Sequence, residues 1–285
     1  MGFYLKKMIM LNSLVISKIK HYLRKYAILR HLGFITEIII WGSKFREKIL
    51  TFFLFQYYKS QFRRDWVFCK QLPHFENHQN MLFEFGFNNK YQKPFSFYGA
   101  PAIFQAGFFN REVMRSPDIV LDIGCGDGFF TKRFYADHCA HIDAIDIEPK
   151  AINFAHKYHN ADNITYYLSD AVKNPFPKIH YDVVIWDGAI GHFSKESIHQ
   201  ILQKISKMII SDGLFLGYEA MGIEGNDHLY FFQSVDDYAQ LFKPYFKYIQ
   251  LKKEAYPITG GRFMRQEVYW RCSNSEDRLN VWQQF

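Results

Sequence analysis

Three glycines at 124, 126 and 128 break the run IVLDIGCGDGFFTKRF, residues 119–134, between an apolar stretch and a segment carrying Lys132 and Arg133. That order reads as a buried strand, a tight turn and a helix start, and glycine in such a turn lets the backbone come close to a bound molecule. Dinucleotide sites space their glycines G-x-G-x-x-G and set a pyrophosphate on the helix N-terminus. Here the spacing is G-x-G-x-G, Phe129 stands where the third glycine of that fingerprint would be, and Asp122 precedes the turn. A carboxylate in that place repels a diphosphate and attracts an ammonium or a sulfonium. A second acid, Asp146 in AIDIEP, falls near the roughly 20-residue separation at which a carboxylate reaches ribose hydroxyls. A cation joined to a ribose points to S-adenosylmethionine.

These residues need a frame that brings two strand ends together. From Ser116 onward the runs IVLDIG, IDAIDIE, ITYYL, YDVVIWDG and GLFLGYE read as strands. Helix-like runs lie between them: FFTKRFYADH, a helix opened by Pro149, and a helix with Ser194 as N-cap and apolar residues at Ile198, Ile201, Leu202, Ile205 and Ile209. This alternation predicts an α/β fold with a doubly wound, mostly parallel sheet. Such sheets bind ligands at the carboxyl ends of their strands.

On the motifs LDIGCGDG, AIDIEP, LSDA and YDVVIWDGAIGHF, the stretch from about Ser116 to Cys272 resembles the class I, Rossmann-like S-adenosylmethionine-dependent methyltransferases. The resemblance implies that Asp122, Gly124, Cys125 and Gly126 line the methionine part of the donor. Asp146 and Ile147 would take the ribose and adenine, Asp170 and Ala171 the adenine edge, and Trp186 or Asp187 would stand beside the sulfonium. It also implies a seven-stranded sheet in which PYFKYIQLKKEAYP and FMRQEVYWRCSN are the two antiparallel strands at one end. The histidine, aromatic pair and Ser234-capped helix after GLFLGYEA resemble a group of bacterial methyltransferases linked to polysaccharide or glycolipid modification.

Methyl transfer needs the acceptor held in line with the donor more than it needs covalent help, and a hydroxyl acceptor also needs a base. The candidates are His192, beyond the fourth strand, and Glu219 or His228, at and beyond the end of the fifth. Some relatives hold a metal at this loop, but Gly191 replaces the acidic residue before His192, so no metal is expected. The acceptor is expected to be a small molecule, a glycan or a lipid-linked compound, methylated on oxygen or nitrogen. A nucleic-acid substrate is the alternative, although WDGA replaces the proline-rich acidic motif of enzymes that methylate base amino groups. A noncatalytic S-adenosylmethionine-binding protein is a third reading, opposed by the intact acidic strand ends.

The net charge of +7 is unevenly spread: residues 1–70 hold fourteen Lys or Arg against Glu37, Glu47 and Asp65, a net +11 that leaves −4 for the rest. Leu11, Val15, Ile19, Tyr22, Tyr26 and Leu29 recur at helical spacing, opposite Lys18, Lys20, His21, Arg24 and Lys25. This basic amphipathic extension suits an anionic membrane surface, nucleic acid, or burial of its stripe on its own core. Residues 71–115 read as an aromatic-rich connecting region and 116–285 as the methyltransferase domain. The four cysteines at 69, 125, 139 and 272 have neither a CxxC pair nor zinc spacing, as expected for free thiols in the cytoplasm, with peripheral membrane attachment through the basic segment. Each Lys or Arg near an anionic bilayer adds about 1 kcal/mol, screened over roughly 8 Å at physiological salt. The full chain should therefore sediment with phosphatidylserine vesicles at low salt and leave them at high salt. Salt-steep binding to RNA without vesicle binding would transfer the segment's role to nucleic acid.

Overall fold

The computed structural model describes residues 104–222, 228–258 and 263–279, together with positions 42, 45, 46, 49 and 53. The chain forms two compact units, Met1–Gln61 and Phe62–Phe285. In the first, the five described positions are helical and exposed. The amphipathic stripe from Leu11 to Leu29 lies outside the described residues.

The second unit carries one seven-stranded sheet. Its strands are β1 (Ile119–Ile123), β2 (His141–Asp146), β3 (Ile164–Leu168), β4 (Tyr181–Asp187), β5 (Ile209–Met221), β6 (Tyr248–Ile258) and β7 (Phe263–Ser273). They lie in the order β3-β2-β1-β4-β5-β7-β6. The first five are parallel, and β7 runs antiparallel to both β5 and β6. The expected Rossmann-like architecture is the one observed, antiparallel pair included. Strands covered on both faces must be apolar along their length. Accordingly Val120, Leu121 and Ile123 in β1 and Val183 through Trp186 in β4 are all fully buried.

The helices are α1 (Gln105–Arg111), α2 (Pro149–Tyr158), α3 (Lys195–Met208) and α4 (Val235–Phe242). Their starts follow the capping chemistry of the sequence. Pro149 opens α2 behind Glu148, whose carboxylate accepts from Lys150 N, and Ser194 Oγ accepts from Ser197 N at 3.2 Å. Ser234 and Asp237 cap α4 reciprocally. The buried stripe of α3 is Ile198, Ile201, Leu202, Ile205 and Met208. Ile209, expected on that stripe, instead begins β5, where its β-branched side chain suits a strand. The run after the glycines is a π-helical turn, Thr131–Tyr135, closed by a 3-10 turn, Ala136–His138. Helix α1 lies in the region read as connecting. Seven residues are too few to show a period, and its Gly107 sits where any Cβ would collide with the Phe134 ring.

Near the amino-terminal end of β2, the fully buried Asp143 carboxylate gathers four donors. His141 Nε2 lies at 2.9 Å, Tyr181 OH at 2.9 Å and Tyr167 OH at 3.2 Å, and Lys178 Nζ completes the set. Burial alone would push this carboxyl up, but the hydrogen bonds from Lys178, His141 and Tyr181 outweigh it and hold it below its ordinary value. Its stabilisation is therefore present above the unfolded carboxylate range and lost as pH falls through the lower native value. Asp143→Leu leaves these donors facing an apolar group and should destabilise the fold by about 2 kcal/mol, measured by urea unfolding at pH 7. The variant's stability should also vary less than the parent's below pH 4.

Candidate active site

The chain turns sharply at the carboxyl end of β1. Gly124, Gly126 and Gly128 have φ of 71°, 56° and 78°, the left-handed region closed to most side chains. At Gly124 a Cβ would also lie 2.8 Å from the Ala189 side chain. The turn is tied to the end of β2: Gly124 N and Cys125 N donate to Ile145 O at 2.9 and 3.1 Å. Gly126 N donates to one Asp146 oxygen and Glu148 N to the other, each at 2.8 Å.

Behind the turn stand two carboxylates, Asp122 buried and Asp187 half-buried, each held by a residue of the π-helical turn. Thr131 Oγ1 donates to Asp122 at 2.6 Å, and four residues on Tyr135 OH donates to Asp187. A π turn widens the helix enough to aim both side chains at one side, and such turns recur at functional sites. Asn110 of α1 adds bonds to both Asp187 oxygens at 2.9 and 3.0 Å. Burial pushes Asp122 up to about 7 against the Thr131 bond, with the charges of Asp187 and Asp146 adding to the rise. Burial likewise raises Asp187 to about 6, against the bonds from Tyr135 and Asn110.

A cavity of about 550 Å³ runs along these strand ends, from the loop after β3 past β2 and β1 to β4 and β5. Its described lining includes Asp122, Asp127, Asp146, Glu148, Asp170 and Asp187, but no Lys or Arg. At the β3 end, Ile147 lines it while 66% exposed, leaving an apolar side chain open to a flat ring. Asp170 Oδ1 accepts from Val172 N and Lys173 N, which folds the adjoining loop. Lys204 of α3 clamps that loop from outside, its ammonium donating to Ala171 O, Val172 O and Asn174 O at 2.9, 2.6 and 2.9 Å.

At the β4–β5 end the lining is Asp187, His192, Phe193 and Tyr218, with Phe130 from the π-helical side. Of the proposed bases, only His192 lines the cavity. Glu219 is buried, accepting from Gly191 N at 3.0 Å and Ala220 N at 2.7 Å, with His228 Nε2 at 3.8 Å. Its burial is outweighed by the bonds from His228, Gly191 and Ala220, which keep the carboxyl low. The His228 ring lies 4.3 Å from that of His192, and a Cβ at Gly191 would collide with it. Gly191 thus leaves room for His228, a packing role that the missing acid did not reveal. Among the described residues no group of three or more His, Cys, Asp or Glu could hold a metal. Trp186 is corrected: alternation along β4 turns it away from Asp187 into the core, where it is fully buried beside Phe193.

Residues 120–213 match the family described as "Methyltransferase domain". A curated relative, the uncharacterized methyltransferase YcgJ of Bacillus subtilis (strain 168), is 29% identical over 105 residues, 36% of this chain. That match spans 40% of the relative's length. The crystal structure of YcgJ superposes with a TM-score of 0.51 at 14% identity, over 60% of this chain and 98% of that one, which shows a shared fold. The match places a methyltransferase domain at residues 120–213, on a Rossmann-like fold, and implies S-adenosylmethionine as the methyl donor.

The cavity of the methyltransferase domain fits that donor. Six acidic residues, with no Lys or Arg in the described lining, suit a molecule that carries a sulfonium and an ammonium. Cys125 lines the turn, where burial and then the neighbouring Asp122 push its thiol well up and disfavour the thiolate. Asn110, Tyr135, Tyr218 and Lys204 were missed in the sequence because each reaches the site from an element with no motif of its own. A cationic donor favours the ionised forms of Asp122 and Asp187. Donor binding should therefore release protons and tighten as pH rises from about 5.5 to 8, as titration calorimetry in buffers of differing ionisation enthalpy would detect. Binding that weakens over that range would contradict the charge assignment.

Proposed function

We propose that this chain transfers a methyl group from S-adenosylmethionine to an oxygen or nitrogen of a small molecule, a glycan or a lipid-linked compound. The observation that carries the proposal is the single cavity that passes the glycine turn and ends beside His192 and Tyr218. Donor and acceptor can share one volume there, so the reacting atoms can be held in line. When bound, the donor supplies a methyl carbon made electrophilic by its positively charged sulfur.

The chain's own residues divide the remaining work. Asp146 and Ile147 would hold the ribose and adenine, Asp170 and Ala171 the adenine edge, and Asp122 the methionine end. Asp187 would face the charged centre. His192, exposed at the mouth, would take the acceptor's proton and pass it to water, while Glu219 and His228 fix the loop that carries it. Residues 1–70 would attach the enzyme to an anionic membrane surface, and the acid-lined cavity disfavours a phosphate-rich substrate such as RNA.

His192→Ala should lower kcat by about 10² if the side chain is the base, with donor affinity within twofold of the parent. Asp146→Asn should weaken donor binding at least tenfold, because a charge-assisted bond contributes roughly 1.5 to 3 kcal/mol. Parental turnover in the first variant, or parental affinity in the second, would remove the corresponding assignment.

A further inference from the structure

The acceptor end of the cavity differs chemically from the donor end. Asp187 presents its carboxylate there, held from behind by Asn110 and Tyr135 so that it cannot swing away. Aromatic side chains line the cavity with it: Phe130, Phe193 and Tyr218, of which Tyr218 is backed by the Tyr269 ring at 5.4 Å and 18°. Arg265 is close enough for its charge to act on Tyr218, yet its guanidinium is committed to Glu267 at 2.7 Å.

Charge counting then separates the acceptor classes. S-adenosylmethionine carries a sulfonium, an ammonium and one carboxylate, a net single positive charge, whereas six acidic residues line the described cavity, Asp170 among them bridged to Lys173 at 3.2 Å. The surplus is negative, so an anionic acceptor meets repulsion and a cationic one relieves it. An aromatic-walled pocket with a carboxylate at its base is the chemistry that recognises an ammonium, through cation–π contact and a charge-assisted hydrogen bond. Tyr218 OH does not offer a base for a hydroxyl acceptor, since burial and the carboxylates of Glu267 and Asp187 push it well up.

Resting on the methyl-transfer reading above, we propose that the acceptor is an amine, held at its nitrogen by Asp187 and the ring of Tyr218. The ammonium enters paired with Asp187, and its proton leaves through His192 to water. The freed nitrogen lone pair forms the N–C bond to the methyl carbon as the C–S bond breaks, with that bond's electron pair staying on sulfur. The nitrogen, neutral after losing its proton, takes on the positive charge that the sulfur loses.

The test uses the full chain saturated with S-adenosylhomocysteine, which is neutral at sulfur and leaves the methyl position open. Calorimetric titration compares three probes of one shape: 2-phenylethylamine, 2-phenylethanol and phenylacetate. The amine should bind at least tenfold more tightly than the alcohol, and the acid should bind most weakly. Asp187→Asn should reduce the amine's advantage to twofold or less without changing alcohol binding. Tyr218→Leu, which does not touch the carboxylate, should weaken the amine at least threefold. Equal binding of amine and alcohol, including no detectable binding of either, would overturn the proposal while saturation with S-adenosylhomocysteine still upheld the donor site. Failure of S-adenosylhomocysteine itself to bind would bring down both readings.

Discussion

The site rests on the Asp146 carboxylate, which joins two strand ends that would otherwise be independent. One oxygen accepts the Gly126 N–H from the turn after β1, and the other accepts the Glu148 N–H at the start of α2. Hydrogen bonds to a charged acceptor contribute roughly 1.5 to 3 kcal/mol each, enough to hold three alternate left-handed glycines in one geometry. Ile145 O reinforces the junction by accepting from Gly124 N and Cys125 N. The turn's shape is therefore set by β2, and a residue chosen for ligand contact is also a residue of the fold. Its amide analogue keeps one of the two backbone bonds where alanine loses both, and is for that reason the milder probe of binding.

Two other carboxylates of the site, those of Asp122 and Asp187, work against the fold. Asp122 and Asp187 are raised to about 7 and about 6, so ionising them costs more in the folded chain than in the unfolded one. Their contribution to stability is complete at low pH and is lost as pH rises from the ordinary carboxylate range through those values. A bound cation reverses the penalty, since the buried charge then has a partner. Electrostatic strain of this kind converts a folding cost into ligand affinity, and it couples cavity occupancy to stability. Asp143 shows the opposite arrangement within the same sheet: surrounded by donors, it is held low and stabilises the fold without a ligand.

What could be read from the sequence follows the range of the interactions. The parallel strands were legible because burial on both faces forces continuous apolar runs, and the caps at Glu148–Pro149, Ser194 and Ser234 because capping is local. Asp122 was marked by the glycines that follow its strand, and Asp146 by its place at the next strand end, roughly 20 residues beyond the turn. Helix α1 was not, since its identity comes from packing: Phe104 and Phe108 lie against Phe134, and Asn110 reaches Asp187 across 77 residues of chain. Lys204 was hidden for the same reason, being one lysine of an exposed-looking helix until three carbonyls converge on it. Trp186 and Asp187 could not be separated by type, but the two-residue strand period decides between them once the cavity side is known.

The acceptor half obeys a different logic from the donor half. On the proposed donor side the cavity is lined by turns after β1, β2 and β3, each tied to the sheet by its own backbone. The acceptor side is two loops that define each other: Leu229 N and Tyr230 N both donate to Gly191 O, while Glu219 accepts from Gly191 N. Gly222 N donates to Phe232 O at 2.7 Å, which closes the second loop at its base. His228 fills the space above Gly191 that a side chain would take, so the orientation of His192 depends on a residue 36 positions away. Substitutions in either loop must therefore be felt in the other, and double-mutant cycles between them should be non-additive where cycles between donor turns and acceptor loops are not. A fold built this way can change its acceptor by altering two coupled loops while the glycine turn and Asp146 stay fixed, which is why the motif that names the donor says so little about the acceptor.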